Sequence, residues 1–94
     1  MLPEKIYYAQ NKTFARHRMF ADEKNAELFV AGHGYLETYE LHGDYYYYIG
    51  VKKFGDIPAS HPPLGIVLSD NRFHKFQLTW LFAVDFPVSK EECI

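Results

Sequence analysis

Residues 35–52 read YLETYELHGDYYYYIGVK, and this stretch decides the fold. Residues 35–41 and residues 45–52 are both rich in tyrosine and other residues that favour β-strands. Between them lies His42-Gly43-Asp44, a short glycine-containing turn of the kind that joins two antiparallel strands. The stretch therefore predicts a β-hairpin.

Further β-prone runs lie on both sides of the hairpin. Residues 6–9 (IYYA) and residues 65–68 (GIVL) each predict a short strand, whereas residues 55–65 contain three prolines and predict a loop. Residues 73–86 alternate between apolar and less apolar positions, and a period of two over this length predicts a strand that Pro87 ends. One face of that strand would carry Phe76, Leu78, Trp80, Phe82 and Val84.

Residues 13–31 predict a helix over at least part of their length. Thr13 is a candidate N-cap, and Gly32 and Gly34 are candidates for a left-handed C-cap. Residues 28–30 (LFV) could instead begin a strand. The expected fold class is therefore α+β, an antiparallel sheet of ~4–5 strands with one helix packed on it. A small all-β barrel is the alternative if the helix prediction fails.

The length of 94 residues fits a single globular domain spanning residues 1–94, with a polar tail at about residues 88–94 that we expect to be flexible. The net charge of −2 makes a general nucleic-acid binder unexpected, and no apolar run approaches the ~20 residues of a membrane-spanning helix. A single cysteine, Cys93, and a start without the pattern of a signal peptide favour a cytoplasmic protein.

No motif in the sequence has a specific chemical meaning. The five histidines lack the paired spacing of zinc ligands, and no glycine-rich phosphate-binding motif is present. We therefore predict no catalytic residues, no metal site and no cofactor.

Aromatic residues are the unusual feature of the composition, at 18% of the chain with eight tyrosines. Each ring buries ~150–250 Å² when it is inside, so a domain of this size is expected to leave some rings for another molecule to cover. This predicts a small non-enzymatic protein-interaction module, a regulator or inhibitor that binds a partner protein or forms a homodimer by strand pairing. The predicted binding residues are Tyr35, Tyr39, Tyr45, Tyr47, His42, Asp44, His33 and His61.

Two other functions stay open at the level of sequence. A small histidine-dependent enzyme would use His33 or His61 with Glu37 or Asp56. A single-stranded nucleic-acid binder would instead use an aromatic sheet face beside four basic residues: Lys52, Lys53, Arg72 and Lys75.

Overall fold

A computed structural model describes residues 2–59 and 69–88. In this part of the chain five strands form one antiparallel sheet in the order β2-β1-β3-β4-β5. The strands are β1 (Lys5–Asn11), β2 (Arg16–Phe20), β3 (Gly34–His42), β4 (Tyr45–Phe54) and β5 (Arg72–His74). Two short helices accompany the sheet, α1 (Glu23–Val30) and α2 (Leu78–Leu81).

The predicted hairpin is confirmed as β3 and β4. Its turn contains Gly43, whose φ of 65° lies in the left-handed region that glycine adopts without strain. The register shifts once between Thr38 and Tyr39, because Thr38 is opposite Gly50 whereas Tyr39 is opposite Tyr48. Ile49 is therefore an extra residue in β4, which makes this irregularity a β-bulge.

Side-chain alternation divides the sheet into two faces, which we name after the helix on each. The α2 face carries a core formed by Ile6, Tyr8, Met19, Tyr39, Tyr46, Phe73, Leu78 and Phe82, with Leu2 at its margin. The α1 face carries a smaller core formed by Ala9, Phe20, Ala26, Val30 and Leu36. The sheet is thus covered by apolar contacts on both faces, but to different extents.

A helix within residues 13–31 is confirmed, but only over its second half. The side chain of Asp22 accepts a hydrogen bond from the backbone N–H of Asn25, and Ala31 ends the helix in the left-handed conformation. The proposed cap at Thr13 is wrong, because residues 16–20 pair with β1 as strand β2. Backbone bonds from Met19 to Ala83 and Asp85 hold the outer edge of that strand.

The predicted strand over residues 73–86 is wrong. Strand β5 ends at His74. The Nδ1 atom of His74 accepts a hydrogen bond from the Phe76 N–H, and the backbone N–H of His74 donates one to Gln77 Oε1. This reciprocal cap starts a 3₁₀ turn that leads into α2. Leu78 and Phe82 then lie one helical turn apart, so both reach the core whereas Trp80 is 75% exposed.

The predicted antiparallel sheet is confirmed, and with it a fold dominated by that sheet. The prediction of one packed helix is not confirmed, because the described residues include two short helices. Residues 55–59 have no regular secondary structure, whereas residues 60–65 of the predicted loop lie outside the described part. The strand predicted at residues 65–68 and the tail beyond Val88 also lie outside it.

The helical conformation at residues 78–81 has a consequence for stability. Leu78→Ala should lower the free energy of unfolding by about 2–5 kcal/mol, because it empties a fully buried position. Trp80→Ala should change it by less than about 0.5 kcal/mol, because that ring is mainly in solvent. Urea unfolding of both variants measures the two values, and a large loss for both would indicate a strand with Leu78 and Trp80 on one buried face.

Candidate interaction surface

The α1 face is only partly covered by the helix that names it. An eight-residue helix is roughly 12 Å long, whereas the ten residues of β4 extend for roughly 30 Å. Helix α1 packs near the end of the sheet where β3 begins, through Ala26 and Val30 against Ala9 and Leu36. The end of this face near the hairpin turn lies outside that contact.

Strand register places a group of aromatic and charged side chains on this open end. Directly opposed residues of antiparallel strands share a face, so His42, Tyr45 and His74 form one row across β3, β4 and β5. A second row crosses β1, β3, β4 and β5. The two rows together form what we call the hairpin surface: Lys5, Glu40, His42, Tyr45, Tyr47, Arg72 and His74.

The rings of the hairpin surface hold one another in place. Tyr45 meets His74 edge-on at 5.0 Å between ring centroids, and Tyr47 meets His42 in the same way at 5.9 Å. The guanidinium carbon of Arg72 lies 4.0 Å from the centroid of the Tyr45 ring, in a cation–π contact. Both tyrosines remain partly exposed. The rings of this surface thus contact one another and are also partly in water.

Charges at the hairpin end are paired with one another. Lys5 Nζ lies 3.9 Å from Glu40, Arg72 Nε lies 3.8 Å from Asp70, and Lys75 Nζ lies 3.2 Å from Asp44. His42 Nε2 lies 2.7 Å from Glu40 Oε1. A hydrogen bond with the Tyr45 hydroxyl raises the pKa of the Arg72 guanidinium, which stays charged in any case. The surface thus presents ion pairs rather than an excess of one charge.

The structure brings four of the predicted binding residues together at the hairpin end: His42, Asp44, Tyr45 and Tyr47. It separates the other described ones from them. Tyr35 and Tyr39 are buried on the α2 face, so neither ring is part of the exposed surface that we expected them to form. The Tyr35 hydroxyl donates a hydrogen bond to the Pro58 carbonyl. His33 lies between α1 and β3, and His61 lies outside the described residues.

The sequence interpretation missed Arg72 and His74 as members of this surface. It named Arg72 only among the basic residues of a possible nucleic-acid surface, and a predicted strand beginning at Phe73 gave no reason to connect Arg72 or His74 with Tyr45. The pairing of Tyr46 with Phe73 is what brings them together. The sequence did contain one signal for this placement. If Phe73 is buried in a strand, the side chains of residues 72 and 74 point to the opposite face of the sheet.

Among the described residues proposed for an enzyme, the structure shows no hydrogen bond or ion pair that joins His33 to Glu37 or to Asp56, and His61 lies outside the described residues. Nδ1 of His33 lies 3.3 Å from the hydroxyl oxygen of Thr13. Glu37 is fully buried on the α2 face and accepts a hydrogen bond from the Tyr39 hydroxyl at 2.9 Å. Asp56 is exposed in the loop that follows β4. Across residues 2–59 and 69–88, no three His, Cys, Asp or Glu side chains group as metal ligands would.

Burial and the Glu37 carboxylate together perturb the tyrosines of the α2-face core. Burial, and secondly the nearby Glu37 carboxylate, raise the pKa of Tyr8 to about 12. The same two causes raise the pKa of Tyr39 and of Tyr48. These phenols therefore remain protonated in the folded chain at pH values where an exposed tyrosine would ionise.

Comparison of this chain with protein-family models, with curated proteins and with solved structures finds no match. No helix in the described part of the chain has the length and apolar character needed to cross a membrane.

The Tyr39–Glu37 hydrogen bond should contribute measurably to stability. Tyr39→Phe is expected to lower the free energy of unfolding by about 1–3 kcal/mol, because it removes a donor from a buried carboxylate. Tyr7→Phe, at a half-buried ring on the opposite face, is the matched control and should change it by less than about 0.5 kcal/mol. Equal effects of the two substitutions in urea unfolding would contradict this assignment.

Stability should fall in alkali for the same reason. An unfolded tyrosine ionises near pH ~10, whereas Tyr8 in the folded chain holds its proton to about pH 12. The unfolded chain thus binds fewer protons between these values, so the stabilisation is complete below about pH 10 and lost as the pH rises towards 12. Urea unfolding across this range should show a shallower loss for Tyr8→Phe, and equal slopes would refute the assignment.

Proposed function

We propose that this protein is a small non-enzymatic interaction module that binds a partner protein through the hairpin surface and acts as a regulator or inhibitor. The observation that carries the proposal is the pair of partly exposed rings, Tyr45 and Tyr47, ordered by Arg72 and by two histidines. Tyrosine and arginine are among the residue types enriched where proteins bind one another. Side chains that are already ordered lose less conformational entropy on binding, which favours affinity.

Charge pairing favours a protein partner over a nucleic acid. A phosphate backbone is bound by free lysine and arginine side chains, and affinity grows with the number of charges neutralised. On this surface Lys5 and Arg72 each have a carboxylate within 4 Å, and so does the neighbouring Lys75. A polar rim of ion pairs around aromatic rings is instead the arrangement found at protein interfaces.

A second copy of this chain is one form that the partner could take. The outer edge of β2 is bonded to Ala83 and Asp85 around Met19, and β5 pairs with the outer edge of β4 at residues 45–47. Part of each outer strand edge is therefore already hydrogen-bonded within the chain, which leaves less backbone for strand pairing between copies. The hairpin surface is the better candidate for self-association. A cytoplasmic place of action fits a chain with a single cysteine.

The experiment compares a double variant with a matched control. Tyr45→Ala/Tyr47→Ala removes both rings, whereas Leu28→Ala removes an apolar side chain that is 72% exposed on α1, outside the hairpin surface. Sedimentation velocity first measures self-association of the wild-type chain. Immobilised wild type and variants then capture proteins from a lysate of the cells that express the gene, with quantification by mass spectrometry.

We expect self-association, or a captured protein, to be lost in the double variant and retained with Leu28→Ala. The loss should be at least about tenfold, since truncating a central interface tyrosine costs more than about 1 kcal/mol. Thermal melting checks that both variants remain folded. Binding that survives in the double variant would rule out the hairpin surface as the interface.

A further inference from the structure

His74 lies where strand β5 changes into the turn that leads to α2. Its Nδ1 accepts a hydrogen bond from the backbone N–H of Phe76 at 3.1 Å, and its own backbone N–H donates to Gln77 Oε1 at 3.0 Å. Leu78 and Phe82 follow this turn and are buried in the core of the α2 face. The side chain of His74 thus helps to fix the direction in which the chain leaves the sheet and enters that core.

The bond to Phe76 requires one protonation state of the imidazole. A backbone N–H can only donate, so Nδ1 of His74 is the acceptor and uses its lone pair in this bond. The neutral ring therefore carries its single proton on Nε2. A second proton can bind only at Nδ1, where it replaces the lone pair and points a donor at the Phe76 N–H. Protonation and capping therefore exclude each other at this atom.

Histidine differs in this respect from the usual capping residues. Serine, threonine, aspartate and asparagine are preferred at N-caps, and their oxygens still accept a hydrogen bond between about pH 5 and pH 8. Histidine is the side chain whose ordinary titration falls within that range. The cap of α1 by Asp22 is therefore insensitive to pH there, whereas the cap made by His74 depends on it.

Charged and titratable groups face His74 from β3, from β4 and from the turn that follows it. The Tyr45 ring lies edge-on to the imidazole at 5.0 Å between centroids, and the Phe76 ring lies at 4.4 Å. The ionisable side chains on this end of the sheet are Glu40, His42, Asp44, Tyr45, Tyr47, Asp70, Arg72 and Lys75. The three carboxylates among them each lie within 4 Å of a cationic side chain.

His42 is the second histidine of the row that crosses β3, β4 and β5, and its protonation has the opposite effect. Its Nε2 lies 2.7 Å from Glu40 Oε1, so a proton on His42 strengthens an attraction to a carboxylate. A proton on His74 instead breaks a hydrogen bond to the backbone. A loss of stability in acid is therefore expected from His74 and not from His42.

We infer that His74 is a pH-sensitive latch on α2. With a neutral ring, the cap helps to hold the turn and the helix that place Leu78 and Phe82 in the core. With a protonated ring, the first turn of this segment loses that bond. The latch acts within the chain itself, so it does not depend on the proposed binding at the hairpin surface.

The direction of the pH dependence follows from proton counting. The unfolded chain takes up a proton on His74 without losing a bond, whereas the folded chain takes it up only by breaking the cap. The unfolded chain therefore binds more protons as the pH falls through the ordinary range of histidine, near pH ~6.5, and folding loses stability in acid.

Two substitutions of His74 separate the acceptor from its titration. His74→Asn keeps a capping acceptor that does not titrate, whereas His74→Ala has no acceptor at any pH. His42→Asn is the matched control, because it removes the neighbouring histidine and leaves the cap in place. Urea unfolding of wild type and variants is followed by the fluorescence of Trp80, the single tryptophan of the chain and a residue of α2.

Acidification from about pH 8 to about pH 5 should lower the folding equilibrium constant of wild type by about 2- to 30-fold more than that of His74→Asn, the effect of losing one N-cap acceptor. His42→Asn should show the wild-type fall. At about pH 8, His74→Ala should be less stable than His74→Asn by a similar factor. In the wild type, the amide resonance of Phe76, followed by NMR, should shift over the same pH range.

A fall in His74→Asn equal to that of wild type overturns the latch, because a chain without this imidazole would then lose the same stability. A Phe76 amide resonance that ignores pH overturns it as well, and this measurement needs no variant. Equal stability of His74→Ala and His74→Asn would show that the cap contributes nothing. Disappearance of the fall in His42→Asn would assign the titration to His42 instead.

Discussion

The pairing of β3 with β4 determines which side chains of this protein meet its cores and which meet water. The turn at Gly43 sets the register, so that His42 is opposite Tyr45 and Tyr39 is opposite Tyr48. One-residue alternation then turns Tyr46 and Tyr48 towards the α2 face, and Tyr45 and Tyr47 towards the other. A shift of one residue would exchange these pairs and place the buried rings in water.

The bulge at Ile49 changes this alternation part-way along β4. Before the bulge, odd-numbered residues such as Tyr45 and Tyr47 lie on the α1 face; after it, even-numbered residues such as Gly50 and Lys52 do. Lys52 consequently meets the two glutamates of α1, and Gly50 becomes the floor of a cavity. If the strand alternated without the bulge, Ile49 and Val51 would lie on the same face as Tyr45 and Tyr47.

The sequence was sufficient for the elements whose pattern is local. Tyrosine-rich runs around His42-Gly43-Asp44 predicted the hairpin, because turn chemistry and strand propensity agreed there. The number of tyrosines also predicted that some rings would be exposed. Strand register decides which tyrosines are exposed. Tyr35 and Tyr39 were predicted to be binding residues, yet they lie on the face that α2 and Pro58 contact.

The failures arose where the residue pattern was overruled either by a side-chain cap or by contacts distant in sequence. The alternating residues 73–86 read as a strand, but the cap at His74 turned the chain and a short helix placed Leu78 and Phe82 in the core. Residues 16–20 read as the first part of a helix, but pairing with β1 and with Ala83 made them a strand. Nothing in the sequence around Gln77 or Ala83 predicts the cap between His74 and Gln77 or the backbone bond between Met19 and Ala83.

The exposed rings and the glycine in β4 are both departures from what stability alone would favour. The α2 face shows that this chain can enclose tyrosine fully, with Tyr39 and Tyr46 buried among other rings. On the α1 face the helix stops short, and Tyr45 and Tyr47 remain in contact with water. A longer helix would cover more of this face, and a β-carbon at position 50 would meet no described atom within 4 Å. Since natural chains tend to lose local optimality where they bind other molecules, the presence of both departures on the α1 face supports the proposed interaction there.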